Sequence, residues 1–469
     1  MASQPTTSTR LTGGVVAAAV LVLLAGLLGT VPATAAPGAP APAGAAVQAA
    51  KAARTGNPAT PGSFTGYGFD QCVAPTQSAM NAWLTSSPFW AVGIYISGDS
   101  RACRDQPNLT PTWVSTQLAN GWRLLPITLG PQASCTTRDR YQKQVRIDPK
   151  PAGGYAAALA QGRAEADKAV ATATALGIVP GSTLFYDLEG DFSASNTDCR
   201  ESALTFVSGW VTRLHELGYL AGYYSSAGTG IKMLDDAAVL RPGTFAMPDH
   251  LWVARWSGTP NRINESRTTY LRDTSWSNHQ RVHQYRGGHN ETHGGVTINI
   301  DSNWLDLGTG SVARTAKTFC GGVPVDYPVY SALRVGATGD QVRAAQCLLR
   351  QKKKYAGEIT GTYDAATAAA TSAYRTKIGL PARGSMSKAV WTSILARGNH
   401  PLMKYGATGH AVRRLQRALN AADRAGLAVS GVYEATTTAA VRRYQADNRL
   451  PSTGVVTDAM WAELRKGNR

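Results

Sequence analysis

A chain of 469 residues is too long for one ordinary hydrophobic core, so two or three domains are expected. Lys and Arg number 47 against 30 Asp and Glu, and the net charge of +17 is unevenly placed: residues from 317 onward carry about +14, residues 63–316 balance, and the first 62 hold the rest. A basic tail beside a neutral body points to an anionic surface such as cell-wall polymer, acidic lipid or extracellular nucleic acid. None of the six cysteines forms a C-x-x-C pair, which excludes zinc-knuckle and thioredoxin-type motifs.

The chain opens as an export precursor. Arg10 supplies a positive start, an apolar stretch runs from Leu11 to Val31, and Ala33-Thr34-Ala35 offers a small-x-small cleavage site before Ala36. The apolar core of that stretch, Val15 to Leu28, is shorter than the roughly 20 residues a bilayer span needs. Residues 1–35 are therefore predicted to be a signal peptide, and the mature chain to be secreted, extracellular or wall-associated, without stable membrane insertion. An uncleaved anchor is the alternative. The cysteines suit an oxidising destination. They allow many pairings, among which the sequence does not choose; pairing within domains gives Cys72–Cys103, Cys135–Cys199 and Cys320–Cys347. Residues 36–62 are rich in Ala, Pro and Gly and read as a flexible linker.

Over residues 63–312 short apolar runs alternate with helical stretches. Strands are predicted at Gly66–Asp70, Ala91–Ile96, Arg123–Leu129, Thr183–Glu189, Tyr219–Tyr224, Leu251–Arg255, Val282–Tyr285 and Ile298–Ser302. Helices are predicted at Tyr155–Leu176 and Ala203–Leu217, closed by Gly177 and Gly218. This repetition implies a parallel sheet, and eight strands suit an α/β fold, a (β/α)8-type (TIM-like) barrel. Little helix separates the last three strands, so the ring of helices is incomplete.

The C-terminal part repeats itself at a spacing of 70 residues. Gly336-Ala337-Thr338-Gly339 returns as Gly406-Ala407-Thr408-Gly409, Gln346 as Gln416, Tyr363 as Tyr433, Tyr374 as Tyr444 and Trp391 as Trp461. Each unit reads as three small helices: one after the Gly-x-x-Gly turn, one from Ala365 or Ala435, and a short one ending at the tryptophan. The units, residues 319–398 and 399–469, resemble the bacterial peptidoglycan-binding domain of three-helix type. The shared pattern is G-x-x-G-x-x-V-x-x-x-Q, then G-x-Y-[DE]-x-x-T, then L-P-x-x-G. The first unit departs from it at Lys352-Lys353-Lys354 and Ser385-Met386-Ser387. The resemblance implies wall binding, while the Tyr, Trp and Leu positions read as core rather than as ligand contacts.

Chemistry is concentrated in Tyr186-Asp187-Leu188-Glu189-Gly190-Asp191. On a strand Asp187 and Glu189 share a face about 7 Å apart. Barrel active sites lie at the C-terminal strand ends, where Asp70, Tyr223-Tyr224 and Asp301 are also expected. Paired acids around one opening are what glycosidic cleavage uses.

This arrangement resembles the lysozyme-like barrels of glycoside hydrolase family 25. A closer resemblance is to the glycoside-hydrolase-like family of secreted actinobacterial proteins catalogued as domain of unknown function 1906. Gly68-Phe69-Asp70, Asp187-Leu188-Glu189, Trp252-Val253-Ala254-Arg255-Trp256, His283-Gln284-Tyr285 and Asp301 carry the first resemblance, and Gly68-Phe69-Asp70, Phe185-Tyr186-Asp187-Leu188-Glu189 and the cysteine-containing loops carry the second. The resemblance implies a catalytic set of Glu189, Asp187, Asp70 and Asp301. Glu189 would be the general acid, its pKa raised by burial and neighbouring carboxylates, and Asp187 would stay ionised beside an oxocarbenium-like or oxazolinium species. Asp70 and Asp301 would tune charge or hold sugar hydroxyls, and Tyr224, Trp256, Gln284 and Tyr67 would bind substrate, the first two by stacking.

His279, His283, His289 and His293 fall within fifteen residues, but Gly287-Gly288 and Gly294-Gly295 break any helix there and no H-E-x-x-H occurs. They read as solvated or sugar-contacting loop residues. No metal or other cofactor is expected. No G-x-S-x-G supports serine chemistry. The expectation is a monomeric, secreted, muramidase-like glycoside hydrolase tethered to peptidoglycan by its repeats, with no nucleic-acid partner. The alternative is a non-catalytic wall- or glycan-binding protein using the barrel as a lectin-like module.

Overall fold

The computed structural model describes residues 56–309 and 318–469. The signal-peptide reading, and the linker reading as far as residue 55, lie outside the described residues. Eight strands close into a barrel in chain order: β1 (Thr65–Asp70), β2 (Ala91–Ser97), β3 (Arg123–Thr128), β4 (Thr183–Asp187), β5 (Leu220–Ser226), β6 (His250–Ala254), β7 (Arg281–His293) and β8 (Val296–Asp306). Strands β1 to β7 run parallel, whereas β8 is antiparallel to both β7 and β1.

The last strand thus departs from the predicted parallel sheet. Its connection is the reason: Gly294-Gly295, both at positive φ, turn β7 directly back into β8, and no crossover helix intervenes. The pair extends past the barrel as an arm to His293 opposite Val296, much longer than predicted. Gly287-Gly288 do not interrupt it; register shifts in the ladder absorb them. Only His279 is therefore a loop residue, in the turn before β7. His283, His289 and His293 lie on β7, where His289 and His293 both bond Glu291 and His283 is buried against the Arg255 carbonyl at 2.8 Å.

Outside the barrel lie α1 (Gln77–Ser86), α2 (Pro111–Ala119), α3 (Asp139–Gln142), α4 (Ala152–Ala175), α5 (Thr197–Glu216) and α6 (Lys232–Leu240). Thr76, Thr110 and Asn196 accept from the first-turn amides of α1, α2 and α5, and Pro111 opens α2. In α4 the residues Gly153, Gly154 and Tyr155 are left-handed, so the regular helix begins after them, close to the predicted start. A Cβ on Gly162 would lie 2.0 Å from the Phe206 carbonyl oxygen, so this glycine lets α4 and α5 meet backbone to backbone. No helix lies between β6 and β7, or between β7 and β8, which leaves the predicted gap in the ring.

Residues 56–62, expected to belong to the flexible linker, are packed. Thr60 is buried between the starts of β3 and β4: its hydroxyl bonds the Leu124 backbone, and its carbonyl accepts from Thr183.

The repeats contain α7 (Asp340–Gln351), α8 (Ala365–Lys377) and α9 (Lys388–Ala396), then α10 (His410–Asp423), α11 (Ala435–Asp447) and α12 (Asp458–Lys466). Their shared motif is a buried hydrogen-bond network. Gln346 accepts from Gly361 N and donates to the Thr362 carbonyl, both at 3.0 Å, and Gln416 repeats these bonds with Gly431 and Val432. Trp391 and Trp461 do not end their helices as predicted. They sit in the first turns of α9 and α12, buried, donating to the Ser331 and Pro401 carbonyls at 2.8 and 3.0 Å.

The barrel and both repeats belong to one compact unit. The second repeat docks through Lys404, whose ammonium is buried and donates to the Ser87 and Phe89 carbonyls, each at 2.9 Å, near the Trp90 and Trp122 rings. The equivalent residue of the first repeat, Arg334, is exposed. Disulfides join Cys72–Cys103, Cys135–Cys199 and Cys320–Cys347.

Candidate active site

Strand alternation puts one layer of polar side chains inside the barrel at its C-terminal mouth. Asp70, at the end of β1, is buried and accepts from Asn303 Nδ2 at 2.6 Å and Gln284 Nε2 at 3.3 Å. The same Gln284 nitrogen reaches Asp301 Oδ2 at 3.2 Å, while Gln284 Oε1 accepts from Tyr224 OH at 3.2 Å and Trp256 Nε1 at 3.0 Å. Gly288, in the bulged part of the arm, donates its amide to Asp301 Oδ1 at 2.5 Å. The small residue Gly93 makes this layer possible, since a Cβ there would lie 2.5 Å from that of Asp70.

Across the mouth, Asp187 ends β4 and Glu189 follows two residues later. Gln132 fixes this exit, donating to the Asp187 carbonyl at 2.8 Å and accepting from Glu189 N at 2.8 Å. Asp187 is 1% exposed; its Oδ2 lies 3.5 Å from the Tyr95 hydroxyl, and its Oδ1 has no hydrogen-bond partner among the described residues. Glu189 turns outward. Its Oε1 accepts from Tyr141 OH at 3.3 Å and lies 3.5 Å from Arg138, which also pairs with Asp191 at 2.6 Å.

Burial raises the pKa of all four acids. Asp70 is pushed up to about 8, first by burial and then by Asp301, against the bonds from Asn303 and Gln284. Asp301 rises through burial, opposed by the Gly288 amide. Glu189 is raised by burial against the pull of Arg138, as a general acid requires. Asp187, expected to stay ionised, is pushed the other way: burial first, then Glu189 and Asp70, raise its pKa well above its ordinary value. It lies inside the barrel rather than on the rim, with no cation in ion-pair distance.

A cleft of about 250 Å³ opens over this layer, lined by the acids Asp70, Glu189 and Asp301 and by the cations Arg101, Arg138 and Arg140. Arg101 follows β2, Arg138 precedes α3 and Arg140 lies on it, both after β3, so all three stand at the mouth. Arg101 and Arg140 form no ion pair with any described carboxylate. Among the described residues no cluster of His, Cys, Asp and Glu is placed to hold a metal ion.

Asp70, Asp187, Glu189, Asp301, Tyr224, Trp256 and Gln284 are thus brought together as predicted; Tyr67 is not. It lies on the opposite face of β1 from Asp70, packing edge-on against Trp304 and Tyr405 of the second repeat at 4.9 and 5.4 Å. An odd separation of three residues already implies opposite faces. Gln284 also differs from expectation, since its donors and acceptor are taken up inside the barrel. Trp256, 64% exposed, remains as a stacking surface. Sequence reading missed Tyr95, Gln132, Arg138, Tyr141 and Asn303. Asn303 shares a face with Asp301 by alternation and was open to detection; Gln132, Arg138 and Tyr141 come from an irregular connection without periodic signal.

Barrel and mouth together define a glycoside hydrolase-like domain. Residues 81–305 match the model of the Rv2525c-like, glycoside hydrolase-like domain, and residues 408–464 that of a peptidoglycan binding domain. The chain therefore carries an Rv2525c-like barrel and a C-terminal peptidoglycan-binding domain. Similar solved structures include an uncharacterized B. stearothermophilus protein (20% identity, 51% of this chain and 95% of that one, TM-score 0.34). Another is the Mycobacterium tuberculosis Tat-secreted protein Rv2525c (15%, 51% and 95%, 0.33). A third is a family 25 glycosyl hydrolase from Bacillus anthracis (12%, 52% and 89%, 0.32). No curated protein matches the chain.

Proposed function

We propose that this is a secreted, wall-directed glycoside hydrolase that cleaves peptidoglycan-type glycan. The observation that carries the reading is the gathering of Asp70, Asp187, Glu189 and Asp301 at one barrel mouth, all with raised pKa and with Glu189 facing the cleft. Glu189, protonated, gives its proton to the leaving glycosidic oxygen as the bond to the anomeric carbon breaks. The N-acetyl carbonyl oxygen of the sugar closes on that carbon, and water then opens the ring with Glu189 as base. Asp187, enclosed beside it, offers its unpartnered Oδ1 to the acetamide N–H as positive charge develops on the sugar, and no proton of its own is transferred. Asp70 and Asp301 keep the mouth acidic, and Trp256 offers its face to a sugar. Arg101 and Arg140 favour a glycan bearing carboxylates, as muramyl glycan does, over a neutral chitin-like one. The repeats would raise the local concentration of substrate by tethering.

A second reading, glycan binding without cleavage, is favoured by the contacts of Glu189 with Arg138 and Tyr141, which hold the acid engaged. Isolated cell walls incubated with the protein and with Glu189→Gln separate the two. Hydrolysis requires new reducing ends from the first and none from the second while both sediment with the wall. Equal sedimentation with no reducing ends from either protein supports the lectin-like reading.

A further inference from the structure

Positive charge gathers where the two repeats meet. Lys352 caps the end of α7, Lys377 is the last residue of α8, and Arg397 follows α9. From the second repeat, Arg414 on α10 and Arg465 on α12 face the connecting turn. Arg414 donates to Asn399 Oδ1 at 2.9 Å and lies over the Trp461 ring at 4.8 Å. Arg397 Nη2 lies 3.3 Å from the Arg465 carbonyl, and Arg465 Nη1 is 3.2 Å from His400 Nδ1. Burial, with Arg397, Lys377 and Arg414 nearby, pushes the Lys352 ammonium down.

None of these five cations forms an ion pair with a described carboxylate, whereas Arg343, Arg413, Arg417, Arg443 and Lys466 in the same repeats each do. Helix C-terminal carbonyls offset part of the charge at four of them, all but Arg414. Asp458 also acts on His400 in this turn, yet five like charges against one leave a net positive field.

We propose that the junction between the repeats binds an anionic polysaccharide whose units carry phosphate or carboxylate groups. This adds a ligand to the wall glycan of the Proposed function and does not depend on cleavage by the barrel. The spread of cations over four helix ends and two repeats suits a chain of charges rather than one small ion. Single-stranded nucleic acid is disfavoured because Tyr363, Tyr374, Trp391, Tyr433, Tyr444 and Trp461 are buried, leaving these rings unable to stack on bases. A lipid surface is disfavoured because Val329 and Val335 are the only large apolar side chains strongly exposed among the described residues of the repeats.

The test titrates the full chain with poly(N-acetylglucosamine 1-phosphate) and with hyaluronate over a range of salt, with duplex DNA at equal charge in parallel. Lys352→Gln/Lys377→Gln alters two side chains for which no hydrogen bond is described, so folding is preserved; Arg397→Gln/Arg414→Gln is the second variant and Arg383→Gln/Arg424→Gln, at exposed sites, the control. Wild type and control are expected to bind one or both polysaccharides, and whichever binds identifies the anionic group. The junction variants should bind about ten-fold more weakly, with a salt dependence shallower by about one to two released counterions. Equal affinity of junction variants and control, no polysaccharide binding at low salt, or tighter binding of DNA would each overturn the proposal.

Discussion

The Gln284 amide nitrogen lies 3.3 Å from Asp70 Oδ1, and through that side chain the acids of the mouth are tied to its aromatic rim. The amide oxygen of Gln284 holds Tyr224 and Trp256, so one residue sets both the charge state beneath the cleft and the surface beside it. Gln284→Leu should leave Asp70 and Tyr224 short of partners, at a cost of about 1–3 kcal/mol. It should also free the Trp256 indole. Thermal unfolding and glycan-induced quenching of tryptophan fluorescence check this; unchanged stability with unchanged glycan affinity would contradict it.

Asp70 makes stability pH-dependent in a definite direction. Its pKa is raised to about 8 in the folded protein, whereas an unfolded aspartate titrates near 4. Between about pH 4 and 8 the native state keeps a proton that the unfolded chain has lost, so stability falls as pH rises through that window. Asp70→Asn carries no such proton. It should match the wild type near pH 4 and exceed it by pH 8, by on the order of a few kcal/mol. Unfolding curves at both pH values decide it; a variant less stable at pH 8 would show that the carboxylate is wanted in its ionised form.

Much of this was legible in the sequence because alternation and repetition are strong signals. The first six strands, the gap in the helix ring, the two repeats and the acids of the mouth could all be read from short apolar runs ending in Asp or Glu. What could not be read depends on contacts between distant segments. The reversal of β8 rests on Gly294-Gly295 closing a tight turn, which the sequence presents only as two glycines. The burial of Thr60 depends on a gap between strands 60 and more residues away. The raised pKa of Asp187 depends on its position inside the barrel, which the spacing to Glu189 does not encode.

Lys404 is the clearest single link between barrel and second repeat. Its truncation in Lys404→Ala leaves the Ser87 and Phe89 carbonyls without the ammonium and opens space beside Trp122. A loss of about 2–5 kcal/mol is expected. Calorimetry should show the second repeat melting separately from the barrel, together with faster amide exchange in the 87–90 segment. A single transition at the wild-type temperature would mean that Lys404 does not couple the two.

The central claim is that Glu189 delivers the proton that breaks a glycosidic bond. The direct measurement is mass spectrometry of soluble peptidoglycan oligosaccharides digested in ¹⁸O-labelled water. Wild type should yield shorter glycans with one labelled oxygen at each new reducing end, and Glu189→Gln, folded and bound to the same glycan, should yield none. Intact oligosaccharides from both proteins, or equal labelled products from both, would contradict it.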